Sequence, residues 1–384
     1  ARLNFAENLL RYRDDHPALI FTSETGLTRQ LTYRELYRQV AGVSAALRDS
    51  GIRPGDRVAG YMPNLPETII AMLAATSIGA IWSSCSPDFG IEGVVDRLGQ
   101  IEPKILFCAA AYTYNGKRHD CLAKVREIKA RIDSIQKIVV TPYADPDPDL
   151  SVLSNAVSLD EFTRQDVTEI EFTRLPFNHP VYILYSSGTT GVPKCITHGA
   201  GGTLLQLLKE HLLHIDLKRR DRLFYYTTCG WMMWNWMVNG LATGASLVLY
   251  EGSPFYPDPN AMFDLIDAQE ITVFGTSAKA ISAWQKAGVK PRETHSLKTL
   301  KTILSTGSPL APESFEYVYS DIKADLCLSS IAGGTDIVSC FASGCPVLPV
   351  YRGEIQCLAL GMAVKICRDD GSYADVNETG ELCC

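Results

Sequence analysis

The sequence predicts an α/β fold with two lobes. Each lobe is built on a mainly parallel sheet flanked by helices, and a small antiparallel β-barrel-like subdomain begins near the end. Three observations carry this. Short apolar runs alternate with helical patterns through most of the chain, the mark of parallel strands covered on both faces. The chain has 384 residues, more than one hydrophobic core usually holds. From about Gly353 the runs shorten to "IQCLAL", "MAVKIC" and "GELCC", separated by "DDGS" and "NETG", as short antiparallel strands require. The expected boundaries are 1–350 for the large part, with discontinuous lobes, and 351–384 for the β unit.

Thr32-x-x-Glu35 reads as a capping box that opens the helix "YRELYRQVAGVSAALRDS", which stops at Gly51. A strand follows over Asp56–Met62, then a turn at Pro63-Asn64. The run "TIIAMLAATSIGAIW", Thr68–Trp82, falls short of the ~20 residues of a membrane span and contains hydroxyls. It reads as a core helix, from about Pro66, running into a strand near Ala80–Ser84. Lys104–Phe107 is a strand, Arg118–Arg131 a helix and Lys137–Val140 a strand. The Pro- and Asp-rich stretch Pro142–Ser151 reads as an exposed loop between lobes, ending near 158. Further strands are expected at Val181–Tyr185, Leu223–Tyr226, Ser246–Tyr250, Ile271–Phe274 and Thr302–Ser305. No internal sequence repeat is visible.

Hydrophobic residues make up 46% and charged residues 21%, the balance of a globular protein. The net charge of −7 argues against a nucleic-acid footprint, which needs a clustered basic face. The 12 cysteines lack regular spacing and read as reduced thiols in the cytosol. Cys340-x4-Cys345 and Cys383-Cys384 do not have zinc spacing, and no histidine cluster supports them. The chain begins without Met and ends abruptly at "TGELCC", which reads as a piece of a longer protein.

The stretch "YSSGTTGVPK", Tyr185–Lys194, follows the apolar run "VYIL". Gly188 and Gly191 allow tight turns that point N–H groups inward. Ser186, Ser187, Thr189 and Thr190 add hydroxyls, Pro193 stiffens the exit and Lys194 supplies charge. Composition leaves two readings open: a concave anion site or an ordinary loop. The stretch lacks the G-K-[ST] of a Walker loop, and no G-x-G-x-x-G precedes a helix as in a dinucleotide-binding dehydrogenase.

This stretch resembles the signature phosphate loop of the adenylate-forming superfamily, which includes acyl-CoA synthetases, adenylation domains and luciferases. "STGSPL" (Ser305–Leu310) resembles its adenine-contacting turn, "GGTD" (Gly333–Asp336) its Thr–Glu motif and "TGEL" (Thr379–Leu382) its next landmark. With "RLNFAENLL", "GWMMWNWM" (Gly230–Met237) and "GGTDIVSCF", the chain is similar to the branch nearest the acetyl-CoA synthetases.

The resemblance implies an acid–thiol ligase that uses ATP, Mg2+ and coenzyme A. A carboxylate, here acetoacetate, becomes an acyl-adenylate as pyrophosphate leaves, and the coenzyme A thiolate then displaces AMP. Positive charge and N–H donors must offset the repulsion between carboxylate and triphosphate. The resemblance assigns the β- and γ-phosphates to Ser186, Ser187, Gly188, Thr189, Thr190, Gly191 and Lys194. It gives the α-phosphate to Thr335 and the adenine to Gly307, Ser308 and Pro309. Asp336 stands where most of the family has Glu, and would meet Mg2+. Trp231, Met232, Met233 and Asn235 are candidates for the acyl pocket. Gly333 and Gly334 join them, Gly333 standing where acetyl-CoA synthetases place a Trp. Either it opens room for a longer acyl group or the turn needs glycine. His198 reads as structural. Lys117 and Arg118 meet coenzyme A phosphates or are solvated loop charges. The family's ribose-binding Asp and its lysine-bearing C-terminal lid would follow Cys384, so this chain by itself is expected to adenylate poorly. Another short- or medium-chain acyl-CoA synthetase and a non-catalytic nucleotide-binding fragment are the alternatives.

Overall fold

Thr32 opens the first long helix, Tyr33–Asp49, with both halves of a capping box: its side chain accepts the Glu35 N–H, and the Glu35 side chain accepts the Thr32 N–H. Gly51 leaves the helix at φ +81°. This is a computed structural model that describes residues 1–186 and 191–384. Pro66 starts the helix Pro66–Ile78, whose residues are all buried except Glu67, and Gly79 ends it in the left-handed region. The apolar run is therefore a core helix leading into the strand Ile81–Cys85. No helix among the described residues is long and apolar enough to cross a membrane.

Two seven-stranded sheets form the body. The first runs Ala156–Ser158, Lys137–Thr141, Ile105–Ala109, Arg57–Tyr61, Ile81–Cys85, Pro180–Ser186, Lys194–Gly199. The second runs Cys327–Ser330, Thr302–Thr306, Val273–Ser277, Arg222–Tyr225, Ser246–Glu251, Pro17–Ser23, Thr28–Thr32. In each, six strands are parallel and the seventh pairs antiparallel with the sixth. The strand orders match. The earliest parallel strand of each crossover run is central, the next lies on one side, the later ones on the other, and a hairpin from elsewhere closes the far edge. The likeness leaves no repeat in the sequence, because strand order follows from crossover handedness and burial.

Alternation along the second sheet divides its faces. Leu19, Phe21, Tyr225, Leu247 and Leu249 enter a core shared with Val58, Trp82 and Leu106 of the first sheet. Ile20, Phe224, Val248, Phe274 and Ile303 face a separate cluster with Phe263, Ile281 and Trp284. One core therefore spans both sheets.

Two segments differ from expectation. The helix expected from Arg118 begins at Leu122. Before it, Ala111–Tyr114 and Lys117–Asp120 form a hairpin turned by Asn115 (φ +54°) and Gly116 (φ +73°). Asn-Gly tolerates two successive positive φ values, and this turn chemistry outweighs the helical pattern. The stretch after Pro142 joins neighbouring strands of the first sheet, through a 3-10 turn at Leu150–Val152 and the strand Ala156–Ser158, and does not separate lobes.

The short antiparallel unit begins earlier than Gly353. Ala332–Gly334, Ser339–Ser343 and Cys357–Leu358 form one sheet, and Lys365–Cys367 pairs with Glu381–Cys383. No closed barrel is present among the described residues. His214 ties this unit to the body: its Nδ1 bonds the Gly344 carbonyl at 2.8 Å and its Nε2 accepts the Leu360 N–H at 3.0 Å.

The carboxyl ends of both sheets meet at a polar seam. The Ser84 hydroxyl donates to the Cys229 carbonyl at 2.7 Å, the Cys229 thiol to the Pro63 carbonyl at 3.2 Å and the Trp234 indole to Asn64 Oδ1 at 2.9 Å. Glu251, buried at the end of its strand, accepts the Asn64 N–H at 3.3 Å. Burial pushes its pKa up to about 8, against the pull of that N–H and helped by Glu24 and Asp88. The folded chain thus keeps a proton that the unfolded chain releases near 4.5. Protonation favours the folded state, so this group makes stability fall as pH rises from about 4.5 to about 8. Glu251→Gln removes that slope. Relative to the native chain, the variant should gain up to about 1.4 kcal/mol per pH unit across this window. Urea midpoints at three pH values measure it. Parallel curves would show that Glu251 is ionised in the fold.

Candidate active site

The strand order of the second sheet reverses beside Arg222–Tyr225, the place where open α/β sheets form a crevice at their carboxyl ends. Three connections leave those ends. After Tyr225 the chain runs to Trp231 and the helix Met232–Asn239. After Thr306 it turns at Gly307, φ +88°, which only glycine adopts readily. After Ser330 it passes into Ala332–Gly334 and the 3-10 turn Thr335–Ile337. Between them lies a cavity of about 180 Å3. Trp231, Met232, Met233 and Trp236 form its apolar wall, and Gly307, Gly333, Gly334 and Thr335 its rim. Tyr225 braces the wall edge-on, 5.8 Å from the Trp231 ring and 6.0 Å from Trp236.

The back of the cavity is polar. The helix Ala200–Lys209 continues into a π-helical turn, Glu210–His214, a local widening frequent at functional sites. Glu210 is buried there and lines the cavity with Ser339 and Cys340. Its Oε2 accepts the Trp236 indole N–H at 2.8 Å. Its Oε1 accepts the Ser339 hydroxyl, the Cys340 N–H at 3.3 Å and Gln206 Nε2 at 3.2 Å.

The first sheet reaches this site through its edge hairpin. Pro180–Ser186 pairs with Lys194–Gly199, with Ser186 opposite Lys194. This hairpin packs against the Thr335–Ile337 turn. His198 lies buried beside the Thr335 backbone, and burial holds its pKa below the ordinary value, partly offset by that contact and by Asp336. Asp336 is exposed. Val338, closing the turn, takes φ +50°, unusual for a β-branched residue and a mark of strain held by its surroundings. Three larger hollows, of about 290 Å3, 380 Å3 and 580 Å3, lie elsewhere and are not lined by these groups.

The family described as AMP-binding enzyme matches residues 5–384. The chain belongs to that family. It is 54% identical over its whole length to an acetoacetyl-coenzyme A synthetase of Rhizobium meliloti and spans 59% of that protein. It is 51% identical to the acetoacetyl-CoA synthetase of Mus musculus, spanning 58% of it. It is 45% identical, over 99% of its length, to a malonamoyl-CoA synthetase of Penicillium aethiopicum, spanning 56% of it. The solved acetoacetyl-CoA synthetase from Streptomyces lividans superposes on all of the chain with a TM-score of 0.94 at 41% identity, and the chain covers 59% of it. The chain thus spans somewhat more than half the length of these relatives.

In this AMP-binding enzyme the expected residues fall into three groups. Trp231, Met232, Met233, Gly307, Gly333, Gly334 and Thr335 converge on one cavity. Ser186, Gly191 and Lys194 sit on the neighbouring hairpin and its loop, and Gly191 takes φ +108° as a turn glycine must. Ser187, Gly188, Thr189 and Thr190 lie outside the described residues. Ser308 and Pro309 follow Gly307 but do not line the cavity. Asn235 does not line it either. It is fully buried, and neither of its amide atoms has a hydrogen-bond partner among the described residues. Lys117 and Arg118 are exposed on the 111–120 hairpin, away from the cavity wall, and Arg118 pairs with Asp145 at 2.6 Å.

Sequence reasoning missed Gln206, Glu210, Trp236 and Ser339. The signal available was one acid, Glu210, in the helical run "LLQLLKEHLLH", which is otherwise leucine with a Gln, a Lys and two His. Gly333 also changes meaning. A Cβ there meets the Ser339 carbonyl oxygen at 2.2 Å and the Cys340 Cα at 2.7 Å. It is aimed at the neighbouring strand, not into the cavity. Glycine is needed for the close approach of two strands. At Gly334 the nearest atom to a Cβ is Asp336 Oδ2 at 3.8 Å. Gly333→Ala should therefore lower unfolding stability by about 1–3 kcal/mol, and Gly334→Ala should change it by less than about 0.5 kcal/mol, both read by urea denaturation. Equal effects would mean that the strand approach does not constrain residue 333.

Proposed function

We propose that the chain is the nucleotide- and acyl-binding part of an ATP-dependent ligase that activates acetoacetate as an acyl-adenylate and transfers it to coenzyme A. The products are acetoacetyl-CoA, AMP and pyrophosphate. The observation that carries this is the small Trp- and Met-lined cavity opening on Thr335. A cavity of about 180 Å3 suits a short acyl chain better than a fatty acid. The acids named by the relatives, acetoacetate and malonamate, are short and carry a carbonyl at the third carbon.

The acyl tail enters between Trp231, Met233 and Trp236, and its carboxylate faces Thr335 at the rim. The carboxylate oxygen attacks the α-phosphorus. The α–β anhydride bond breaks and pyrophosphate leaves toward the hairpin. Lys194, Ser186 and the loop residues Ser187, Gly188, Thr189, Thr190 and Gly191 hold the β- and γ-phosphates. The Thr335 hydroxyl steadies the α-phosphate as charge builds on it. Gly307, Ser308 and Pro309 offer backbone to the adenine. The thiolate of coenzyme A then attacks the acyl carbon and AMP leaves, with Lys117 and Arg118 as weaker candidates for its phosphates. Magnesium would be held at Asp336. Among the described residues no group of three His, Cys, Asp or Glu side chains forms a cage. The exposed Asp336 carboxylate suits a cation carried in mainly by phosphate oxygens. It would supply charge neutralisation there. A cytosolic location, with roles in ketone-body use and in fatty acid and lipid metabolism, goes with this reading and with twelve free thiols.

ATP–pyrophosphate exchange by the full-length protein, with the C-terminal lid present, tests it. Acetoacetate should exceed acetate, propionate and butyrate by more than about tenfold in kcat/KM. Butyrate matching acetoacetate would replace the assignment with a general short-chain acyl-CoA synthetase. Thr335→Ala should lower kcat by about 100-fold without moving the melting temperature, while Lys194→Ala should chiefly raise KM for ATP.

A further inference from the structure

Glu210 is a carboxylate at the back of a cavity that must admit an acid. Its surroundings orient it firmly. Trp236 Nε1 donates to Oε2, while Ser339 Oγ, Gln206 Nε2 and the Cys340 N–H donate to Oε1. The Cys340 thiol sits 3.3 Å from Oε1, and burial together with this neighbouring acid pushes the thiol pKa well up. One cation is close: Lys209 Nζ is 3.7 Å from Oε1, but Lys209 does not line the cavity. An acyl tail therefore meets the carboxylate first. On the rim side stand Thr335 and the glycines, so an entering acid puts its own carboxylate there and its far end toward Glu210.

We propose that Glu210 makes the cavity selective for acids whose far end is uncharged and excludes those ending in a second carboxylate. This rests on the cavity being the acyl pocket. Acetoacetate, malonamate and malonate have nearly the same shape and differ in what the far carbonyl carries, CH3, NH2 or O−, so that the far end is a methyl ketone, an amide or a carboxylate. The methyl is neutral. The amide offers N–H donors, which Glu210 Oε2 has room to accept, since one donor occupies it and a carboxylate oxygen takes two. The carboxylate of malonate brings like charge to a site with little water. At about 4 Å and an effective dielectric constant near 20, that repulsion is worth up to about three powers of ten in affinity. Lys209 offsets part of it.

The test compares the three acids in ATP–pyrophosphate exchange by the full-length protein, with its C-terminal lid present; below, native protein means this form. In the native protein, malonate should fall at least about 100-fold below malonamate in kcat/KM. Glu210→Gln should raise malonate relative to acetoacetate by at least about tenfold, and Glu210→Asp, which keeps the charge, should keep malonate excluded. Native protein that uses malonate as well as malonamate overturns the assignment, whether or not the variants fold. Exchange with acetoacetate but an unchanged malonate ratio in Glu210→Gln also overturns it and leaves the acyl-pocket reading standing. No exchange with any of the three acids in the native protein overturns both.

Discussion

The seam where the two sheets meet by their carboxyl ends sets the position of everything at the site. Parallel strands all present their carboxyl ends to one side, so two such sheets that share a core can bring both open edges together. Here the join is made by groups that water barely reaches. Ser84 and Pro63 from the first sheet bond Cys229 from the second, and Asn64 bonds both Trp234 and Glu251. Trp234 and Met233 are neighbours on one helix. Fixing the first to the seam presents the second to the cavity. The hairpin that carries Lys194 belongs to the first sheet, and the Thr335 turn follows the last strand of the second. The Lys194 hairpin and the Thr335 turn can meet only because the sheets are docked in this way.

Two buried acids show how environment divides roles. Glu251 has one hydrogen-bond donor, the Asn64 N–H, and its pKa rises because burial dominates. Glu210 is similarly enclosed but has the donors a carboxylate calls for, from Trp236, Ser339, Gln206 and the Cys340 backbone. Removing a donor from the second would leave an uncompensated oxygen in a dry site, which costs more than the bond itself gains. The π turn at Glu210–His214 is what brings this acid to the cavity. Two residues of that turn are also anchors, His211 to the Trp236 carbonyl and His214 to Gly344 and Leu360.

Elements whose causes are local were legible. The capping box at Thr32, the proline-started core helix at Pro66 and the strands of the second sheet's interior follow from spacing and burial, and the structure bears them out. The Asn115-Gly116 hairpin was equally local, yet a stronger helical pattern downstream masked it. What could not be read depends on approach between distant segments. Gly333 was open to two readings, a lost large side chain or a backbone that needs glycine, and the structure favours the second: its missing Cβ makes room for the Ser339 carbonyl oxygen. Glu210 drew no notice in the sequence, because its partners at 236, 339 and 340 come from other elements. The matched strand order of the two sheets has no residue signature at all. The site motifs, by contrast, stood out as turns: Gly307 and Gly191 take the positive φ that their glycines suggest.

Strain and close packing concentrate around the cavity rim. Gly307 and Val338 both take positive φ, and Gly333 lies in van der Waals contact with a neighbouring backbone. A β-branched residue in the left-handed region costs on the order of 1–2 kcal/mol, and Val338 keeps that conformation because it is buried and follows a turn paired into a sheet. Relaxing it would let the Thr335–Ile337 turn unwind toward solvent. The rim would then lose the position of Thr335 relative to the wall of Trp231, Met233 and Trp236. The fold thus holds a locally unfavourable turn in place through the strand pairing of Ala332–Gly334 with Ser339–Ser343, the same pairing that requires glycine at 333. Site geometry and strand packing are here one constraint, and Gly333 fixes the edge where they meet.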